Sequence, residues 1–382
     1  MTSPFDTEER LAFRKTIRDF VKREITPHAF DWDEAHKVPW EIHEKLGALG
    51  VFGFGVEEKY GGLGFDDAFM RAAYAEEMAN CGVVGIMAAV GGRQLAMSAI
   101  SRLAPEPIRA KVLPEIISGR KNAALAITEP GGGSDVANLT THARREGDDY
   151  ILSGAKTFIT GGMTASYIVV GARTGGPGVG GISLLFVDAD TEGLSRTELA
   201  RKTGWWASDQ ASLYFDNVKV PAENLMGAEG RGFVGIMDSF NYERLGLIAG
   251  SLGMMRACLE DATEWARERK TFGKPLIGHQ VIRHKLVEMS ARIEAVACWL
   301  DRICWQINSG DMPVASLAKA KFFTTKALEY CVSEAIQVLG GAGYLRGCRI
   351  ENIFRDYKVM AIGGGSEEIM RELAATQMGL TV

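Results

Sequence analysis

The sequence lacks the features that mark several classes of protein. No apolar run approaches the roughly 18 residues of a membrane span. The first residues, MTSPFDTEERLAFRK, include acidic side chains and no apolar core, unlike a signal or transit peptide. The net charge is −5, so there is no cationic surplus for nucleic acid or an anionic membrane. We therefore expect a cytoplasmic protein with no nucleic-acid partner and no membrane insertion.

Cysteine is sparse and unpatterned. The six cysteines are scattered and form no CxxC pair, as a zinc site or redox motif would require. Most of them lie in apolar stretches with helical periodicity. Buried, reduced thiols are therefore expected rather than disulfides or a metal site.

Three segments of different character follow one another along the 382 residues. Residues 1–121 have a helical pattern, with Asp6 and Glu9 spaced as a capping box at the first helix. Residues 122–230 contain short runs rich in β-branched and aromatic residues, which predict strands. Residues 231–382 are helical again. The expected fold class is α+β multidomain: an N-terminal helical domain, a central β-barrel-like or β-sandwich domain, and a C-terminal four-helix bundle.

The bundle is predicted from a seam of apolar residues within residues 279–308. They recur at alternating spacings of four and three, which is typical of a helix packed against other helices. The seam consists of Ile282, Leu286, Met289, Ile293, Val296, Leu300, Ile303 and Ile307.

One motif is misleading. Gly176, Gly178 and Gly181 match the G-x-G-x-x-G dinucleotide fingerprint. That fingerprint requires a strand before it and a helix after it, but here strand-like runs stand on both sides. The motif is interpreted as a loop between strands.

Four polar elements are candidates for ligand binding. The segment LAITEPGGGSD at 125–135 predicts a strand that ends in a loop, where exposed backbone N–H groups would bind the carbonyl or phosphate oxygens of a ligand. The alternative is a plain Pro-Gly turn. KTFITGG at 156–162 offers an aromatic side chain that would cover a flat ring, or it is ordinary strand. ERKTFGKPLIGHQ at 268–280 places cations where a pyrophosphate would bind or where a helix C-terminus favours them. QVLGG at 337–341 ends a helix, with a simple C-cap as the alternative.

These elements, in this order and with the α-β-α layout, resemble the acyl-CoA dehydrogenase family of flavoenzymes across essentially the whole chain. The resemblance implies FAD between the β-domain and the C-terminal domain, usually in a homotetramer, with a homodimer as the alternative. Many members have Trp where Phe158 stands, which bears on flavin shielding. The resemblance assigns contacts with FAD, some of them with a neighbouring subunit's FAD, to the following residues: Leu125, Ile127, Thr128, Gly133, Ser134, Phe158, Thr160, Arg269, Thr271, Phe272, His279, Gln280, Gln337, Val338, Gly340, Gly341, Ser366 and Glu368.

The family removes the α-proton of an acyl-CoA thioester with a carboxylate, while the β-hydrogen leaves as hydride to flavin N5. Many members supply that carboxylate from a Tyr-Glu-Gly-Thr sequence where this chain reads Gly363-Gly364-Gly365-Ser366. The expected glutamate falls on Gly364. Glu367 and Glu368 come later, in the first turn of a helix where acids favour the N-terminus.

Glu243 is the candidate replacement. Its neighbours one helical turn away are Ser239, Phe240, Gly246 and Leu247, and none is a cation. Desolvation there would raise the carboxyl pKa, as a base for this reaction requires. The alternatives are a surface glutamate or one paired with Arg244. Isovaleryl-CoA and long-chain relatives carry their catalytic glutamate at this position, also in a Glu-Arg pair, which favours Glu243.

The resemblance also implies how the substrate is held. The Gly364 N–H would donate to the thioester carbonyl, and substrate contacts would come from Ser134, Asn241, Tyr242, Arg244, Gly363, Gly364 and Gly365. Glycines in place of a Tyr-Glu pair leave room for a branched or isoprenoid-like acyl group, as in isovaleryl- or citronellyl-CoA, and Gly91 and Gly92 are expected to deepen the pocket. A straight medium or long chain is the runner-up.

Electron-transfer flavoprotein is the expected electron acceptor. Two other classes of function remain open: a flavin oxidase of the same fold, which would pass electrons to oxygen, and a non-catalytic scaffold homologue.

Overall fold

The computed structural model describes residues 3–380. The N-terminal part of the chain is helical, as the periodicity predicts. Its helices are α1 (Glu8–Phe20), α2 (Ala29–Glu34), α3 (Trp40–Ala48), α4 (Ala68–Ala79), α5 (Val84–Gly91), α6 (Arg93–Leu103) and α7 (Glu106–Ile117).

The start of α1 differs by one residue from the predicted capping box. Thr7 is the N-cap, and its hydroxyl accepts from the Arg10 N–H. Asp6 instead accepts from the Ser3 N–H and closes the preceding turn. The prediction of Asp6 as N-cap was wrong because Asp and Thr are both good caps, and spacing alone does not separate neighbours.

The middle of the chain forms strands. They are β1 (Ala123–Ala126), β2 (His142–Glu146), β3 (Asp149–Thr160), β4 (Tyr167–Arg173), β5 (Ile182–Asp188), β6 (Leu194–Glu198), β7 (Gln210–Pro221) and β8 (Leu225–Met226). They pair in the order β6-β7-β3-β2-β4-β5-β8, with β1 added parallel to β4. The glycines of the false dinucleotide motif lie between β4 and the antiparallel β5, so the prediction of a loop is confirmed.

The C-terminal part is again helical. It contains α8 (Gly232–Glu268), a short hairpin of β9 (Lys270–Thr271) and β10 (Lys274–Pro275), α9 (Gln280–Asn308), α10 (Val314–Leu339), α11 (Arg349–Ile362) and α12 (Glu367–Gln377). Six of the eight seam residues of α9 are buried, and Ile282 and Ile307 at its ends are partly buried. This seam packs α9 against the neighbouring helices, as its spacing predicts.

Two packing contacts position the site. Helix α4 packs along α8, and their contact includes the close approach of Gly253 to the Glu76 backbone. Buried side chains of the N-terminal helices also join the inner face of β1, β4 and β5 in one core. The N-terminal helices, the sheet and α8 therefore meet around one space.

All six cysteines are free. Cys81, Cys258, Cys304 and Cys331 are buried, whereas Cys348 is partly buried and Cys298 is exposed. Within residues 3–380, no helix is long and apolar enough to cross a membrane.

Candidate active site

A cavity of about 230 Å³ lies where these elements meet. Helices α4, α5 and α6 form one side, and the first half of α8 forms the other. Its wall is mostly apolar, with polar groups towards Arg71 and Arg102. Gly91, Gly92 and Gly246 also line it, and a Cβ on Gly91 or Gly246 would meet nothing within 4 Å. The missing side chains enlarge the cavity at both walls.

Glu243 lines this cavity from α8. Burial raises the pKa of its carboxyl above the ordinary value, while the positive charges of Arg244 and Lys321 pull that pKa down. The guanidinium of Arg244 is directed elsewhere, with Nε donating to the Gly364 carbonyl at 3.1 Å and Nη1 to Asn241 Oδ1 at 2.9 Å. Glu243 is thus a desolvated carboxylate facing an apolar space, which suits a general base.

The triple-glycine loop between α11 and α12 comes directly against Glu243. A Cβ placed on Gly364 would lie 3.5 Å from Glu243 Oε2 and 2.6 Å from Leu247 Cδ1. Gly364 has φ +66° and Gly365 has φ +99°, a region that costs other residues roughly 1–2 kcal/mol. Within residues 3–380 the Gly364 N–H meets no acceptor, so it is available to a ligand.

The loop after β1 is held by a buried ion pair. Lys156 Nζ donates to Glu129 Oε1 at 2.8 Å and to the Ile127 carbonyl at 2.9 Å. Glu129 also accepts from Thr140 and from the Thr141 N–H. Burial alone would raise the pKa of Glu129, but the hydrogen bonds from Lys156 and Thr140 outweigh it and lower the pKa to about 2. The ion pair therefore fixes the start of the glycine-rich loop.

The two predicted flavin loops are brought together. The Thr157 N–H donates to the Thr128 carbonyl at 2.9 Å, which joins β3 to the loop after β1. Phe158 is 69% exposed in the left-handed conformation, φ +57°, and Thr160 lines the cavity beyond it. An aromatic side chain held in strained backbone beside a ligand cavity is typical of a functional site.

These residues fit a flat aromatic cofactor such as the isoalloxazine of FAD. Gly133 and Ser134 are exposed, and a Cβ on either of the preceding glycines, Gly131 and Gly132, would meet nothing within 4 Å. Leu125 and Ile127 lie beneath this loop, partly or fully buried. The loop thus presents open backbone next to an exposed ring.

The residues assigned to the distant half of FAD lie away from the cavity in the single chain. Arg269, Thr271, Phe272, His279 and Gln280 surround the β9–β10 hairpin, where Phe272 is 95% exposed. Gln337, Val338, Gly340 and Gly341 end α10 and begin the following turn. Gln337 and both glycines are exposed, and Val338 is buried.

The last two candidates lie at the start of α12. The Ser366 hydroxyl accepts from the Ile369 N–H and caps the helix. Glu368 is exposed, and hydrogen bonding at the helix N-terminus lowers the pKa of its carboxyl.

Among the predicted substrate contacts, Tyr242 and Glu243 line the cavity, and Asn241 and Arg244 are buried beside the Gly363–Gly365 loop. Ser134 is exposed on the glycine-rich loop and is not part of the cavity wall. The Gly363–Gly365 loop is likewise not part of the cavity wall, but it packs against Glu243 and Arg244 of α8, although the two segments are far apart in the sequence.

Three residues near the site were not predicted. Lys321 of α10 is fully buried, and its Nζ donates to the Gly365 carbonyl at 2.6 Å. Trp205, with φ +54°, lines the cavity, and its N–H donates to Asp356 at 2.6 Å. A lysine within the small and apolar run SLAKAKFF is the only sequence signal that points to Lys321.

Comparisons with known proteins agree with this geometry. Three family models match: "Acyl-CoA dehydrogenase, N-terminal domain" at residues 7–120, "middle domain" at 124–218 and "C-terminal domain" at 230–379. The Alternaria alternata protein "Acyl-CoA dehydrogenase AFT10-1" is 35% identical, covering 97% of this chain and 91% of its own length.

Two solved structures extend the comparison. A probable acyl-CoA dehydrogenase from Mycobacterium abscessus is 40% identical, with a TM-score of 0.94 over 98% of this chain and 99% of that one. A glutaryl-CoA dehydrogenase from Mycobacterium smegmatis in complex with FADH2 is 25% identical, with a TM-score of 0.91 over 98% and 96% of the two chains. The chain belongs to the acyl-CoA dehydrogenase family of FAD-dependent enzymes.

Proposed function

We propose that the enzyme oxidises an acyl-CoA to the trans-2-enoyl-CoA with Glu243 as the base that removes the α-proton. One observation carries this assignment: the Glu243 carboxyl faces the cavity at the point where the Gly364 backbone approaches it, 3.5 Å from the Cβ position of Gly364. Of the carboxylates that line the cavity, Glu243 and Asp66, only Asp66 pairs with an arginine, Arg71. Glu243 is the desolvated one that keeps a raised pKa.

Residues of the chain have separate roles in the proposed reaction. Glu243 accepts the α-proton, and the free Gly364 N–H donates to the thioester oxygen, where negative charge develops. The apolar cavity wall excludes water and so strengthens both interactions. FAD, when bound, supplies the hydride acceptor for the β-hydrogen. Thr128, Gly133, Ser134, Phe158 and Thr160 would hold its ring.

We infer that the acyl group is branched or isoprenoid-like, as in the isovaleryl-, long-chain- and citronellyl-type subgroup. Support comes from Gly91 and Gly246, which line the cavity and at which a Cβ would meet nothing within 4 Å, and from the missing side chain at Gly364, whose Cβ position lies 3.5 Å from Glu243 Oε2. Relatives named isobutyryl-CoA dehydrogenase (Bos taurus, 33% identical) and long-chain specific acyl-CoA dehydrogenase (Mus musculus, 32% identical) are about equally similar. A straight medium or long chain is accordingly the second candidate.

Electron-transfer flavoprotein is the proposed acceptor. A solved structure described as "Electron transferring flavoprotein of Acidaminococcus fermentans" is similar, with 29% identity and a TM-score of 0.93. A homotetramer is the proposed assembly, with a homodimer as the alternative. It is supported by the exposed apolar side chains of Phe272, Tyr344 and Leu345 on the C-terminal part, which a neighbouring copy would cover.

The test replaces Glu243 with Gln, which keeps size and polarity but cannot take a proton. Glu243→Gln should purify yellow with bound FAD and should fail to bleach anaerobically with any acyl-CoA in a panel of straight and branched chains. Wild-type protein should bleach fastest with branched chains. Bleaching of Glu243→Gln at the wild-type rate would refute the assignment of the base. Peroxide formed in proportion to turnover in air would favour the oxidase.

A further inference from the structure

Two buried cations hold the triple-glycine loop from two different helices. Arg244 of α8 donates from Nε to the Gly364 carbonyl at 3.1 Å. Lys321 of α10 donates from Nζ to the next carbonyl, that of Gly365, at 2.6 Å. Both side chains are almost fully buried. Consecutive carbonyls are therefore each bound by a positive charge.

Such a loop needs an external constraint. Gly364 and Gly365 both have positive φ, and glycine loses more backbone entropy on ordering than any other residue. Upstream, the Gly363 N–H donates to the Val359 carbonyl and ends α11. Downstream, Ser366 caps α12. Between these anchors, the Arg244 and Lys321 hydrogen bonds determine the direction of the Gly364 and Gly365 carbonyls.

The same lysine also acts on Glu243 by charge. The positive charges that lower the pKa of Glu243 are those of Arg244 on its own helix and Lys321 on α10. The charged groups that act on Lys321 are Glu243 and Arg244 of α8, and Glu367 and Glu368 of α12. Glu367 is hydrogen-bonded by Thr325 and paired with Lys326 and Arg371. Across the cavity, Arg71, Arg102 and Asp66 lie around Tyr242 rather than Glu243. Burial lowers the pKa of Lys321 to about 8, so below that pH the positive charge that acts on Glu243 from another helix is the Lys321 ammonium.

We propose that Lys321 is a positioning residue that, together with Arg244, clamps the Gly364–Gly365 carbonyls and keeps the Glu243 carboxylate ionised in its dry cavity. This inference rests on the proposed role of Glu243. It assigns to α10, which does not line the cavity, control over when the base is active. Without the ammonium, burial of Glu243 is opposed by Arg244 alone, and the neutral carboxylic acid is favoured to a higher pH.

Three variants test the proposal through the rate of anaerobic flavin bleaching between pH 6 and pH 9.5. Lys321→Gln keeps a hydrogen-bond donor for Gly365 but removes the charge, Lys321→Met removes both, and Lys321→Arg keeps both. Lys319→Met makes the same change two residues earlier on α10 and serves as the control. In Lys321→Gln we expect the midpoint of the pH profile to rise by about one pH unit. Below the midpoint, the ionised fraction of Glu243 is then about tenfold lower than in the wild type. Lys321→Arg and Lys319→Met should keep the wild-type midpoint.

The difference in bleaching rate between Lys321→Met and Lys321→Gln tests the hydrogen bond that holds the Gly365 carbonyl. We expect a lower plateau rate at high pH than in Lys321→Gln, because the loop is no longer held. If Lys321→Met fails to fold, the midpoint of Lys321→Gln still decides on the charge. An unchanged midpoint in Lys321→Gln would overturn the proposal. If Glu243→Gln bleaches normally, the base assignment itself fails, whereas an inactive Glu243→Gln with an unchanged Lys321→Gln midpoint refutes only the role of Lys321.

Discussion

The Glu243 carboxyl and the Gly364 backbone lie against each other, with Oε2 3.5 Å from the position of a Gly364 Cβ. A side chain at Gly364 would occupy the space beside the carboxyl of Glu243. The two positions that the family resemblance offers for the base, 243 and 364, are therefore neighbours in the fold.

Gly364→Glu should lower activity rather than restore a missing base. Its Cβ would clash with Leu247 at 2.6 Å, its φ of +66° disfavours any side chain, and a second carboxylate would raise the pKa of Glu243 further. We expect slower bleaching with all acyl-CoAs, most strongly with branched ones.

Gly363→Ala is the control for that variant, because Gly363 has φ −66° and its Cβ would make only an ordinary contact with Val359. It should retain most of the activity. Faster bleaching by Gly364→Glu on every substrate would contradict the placement of the base at Glu243.

Gly91→Leu should shorten the acyl chain that the enzyme accepts. The glycine ends α5 in the cavity wall, and a Cβ there meets nothing within 4 Å, so a leucine side chain would extend into free space. We expect kcat/KM for long chains to fall by roughly tenfold or more, since each methylene in such a pocket contributes at about that scale. Short chains should be little affected. A uniform loss over all chain lengths would instead indicate a distorted helix.

Glu129→Ala should destabilise the protein and release FAD. Lys156 is fully buried, and removing its partner leaves an unpaired charge, which typically costs about 3–5 kcal/mol. The double variant Glu129→Gln, Lys156→Met should be milder, since no buried charge remains. Thermal unfolding and the flavin-to-protein absorbance ratio measure both effects. Equal stability of the single and double variants would argue against a buried charge as the cause.

Asp356 should make stability depend on pH near neutrality. Burial raises the pKa of its carboxyl to about 7, while its oxygens accept from the N–H groups of Trp205, Val84 and Gly85. Because its pKa is raised in the folded state, folding favours the protonated form of Asp356. The contribution of the protonated Asp356 to the free energy of unfolding is therefore lost as pH rises through about 7.

Asp356→Asn cannot titrate and is the matched comparison for that prediction. We expect the Tm difference, wild type minus Asp356→Asn, to decrease from pH 5.5 to pH 8. A difference that stays constant over this range would show that Asp356 does not titrate there.

Much of the architecture was predicted from the amino-acid sequence. The α9 seam and the alternation of β-branched runs with turn residues are local patterns, because helical and strand periodicities are properties of neighbouring residues. The false dinucleotide motif was dismissed on the same local grounds. The position of Glu243 among apolar and small neighbours could also be read from one helix.

Only the tertiary structure decided what surrounds that helix. Trp205 and Asp356 have no local pattern that marks them, and Lys321 has only its place in a small and apolar run, because each acts through contacts with elements distant in the chain. Pairing of Glu243 with Arg244 was an alternative that the sequence left open, but folding directs Arg244 to the Gly364 carbonyl. The sequence by itself determined that a desolvated carboxylate would stand on α8. Packing of α10 and the triple-glycine loop against α8 decided which charges face it, since electrostatic coupling depends on distance in space and not along the chain.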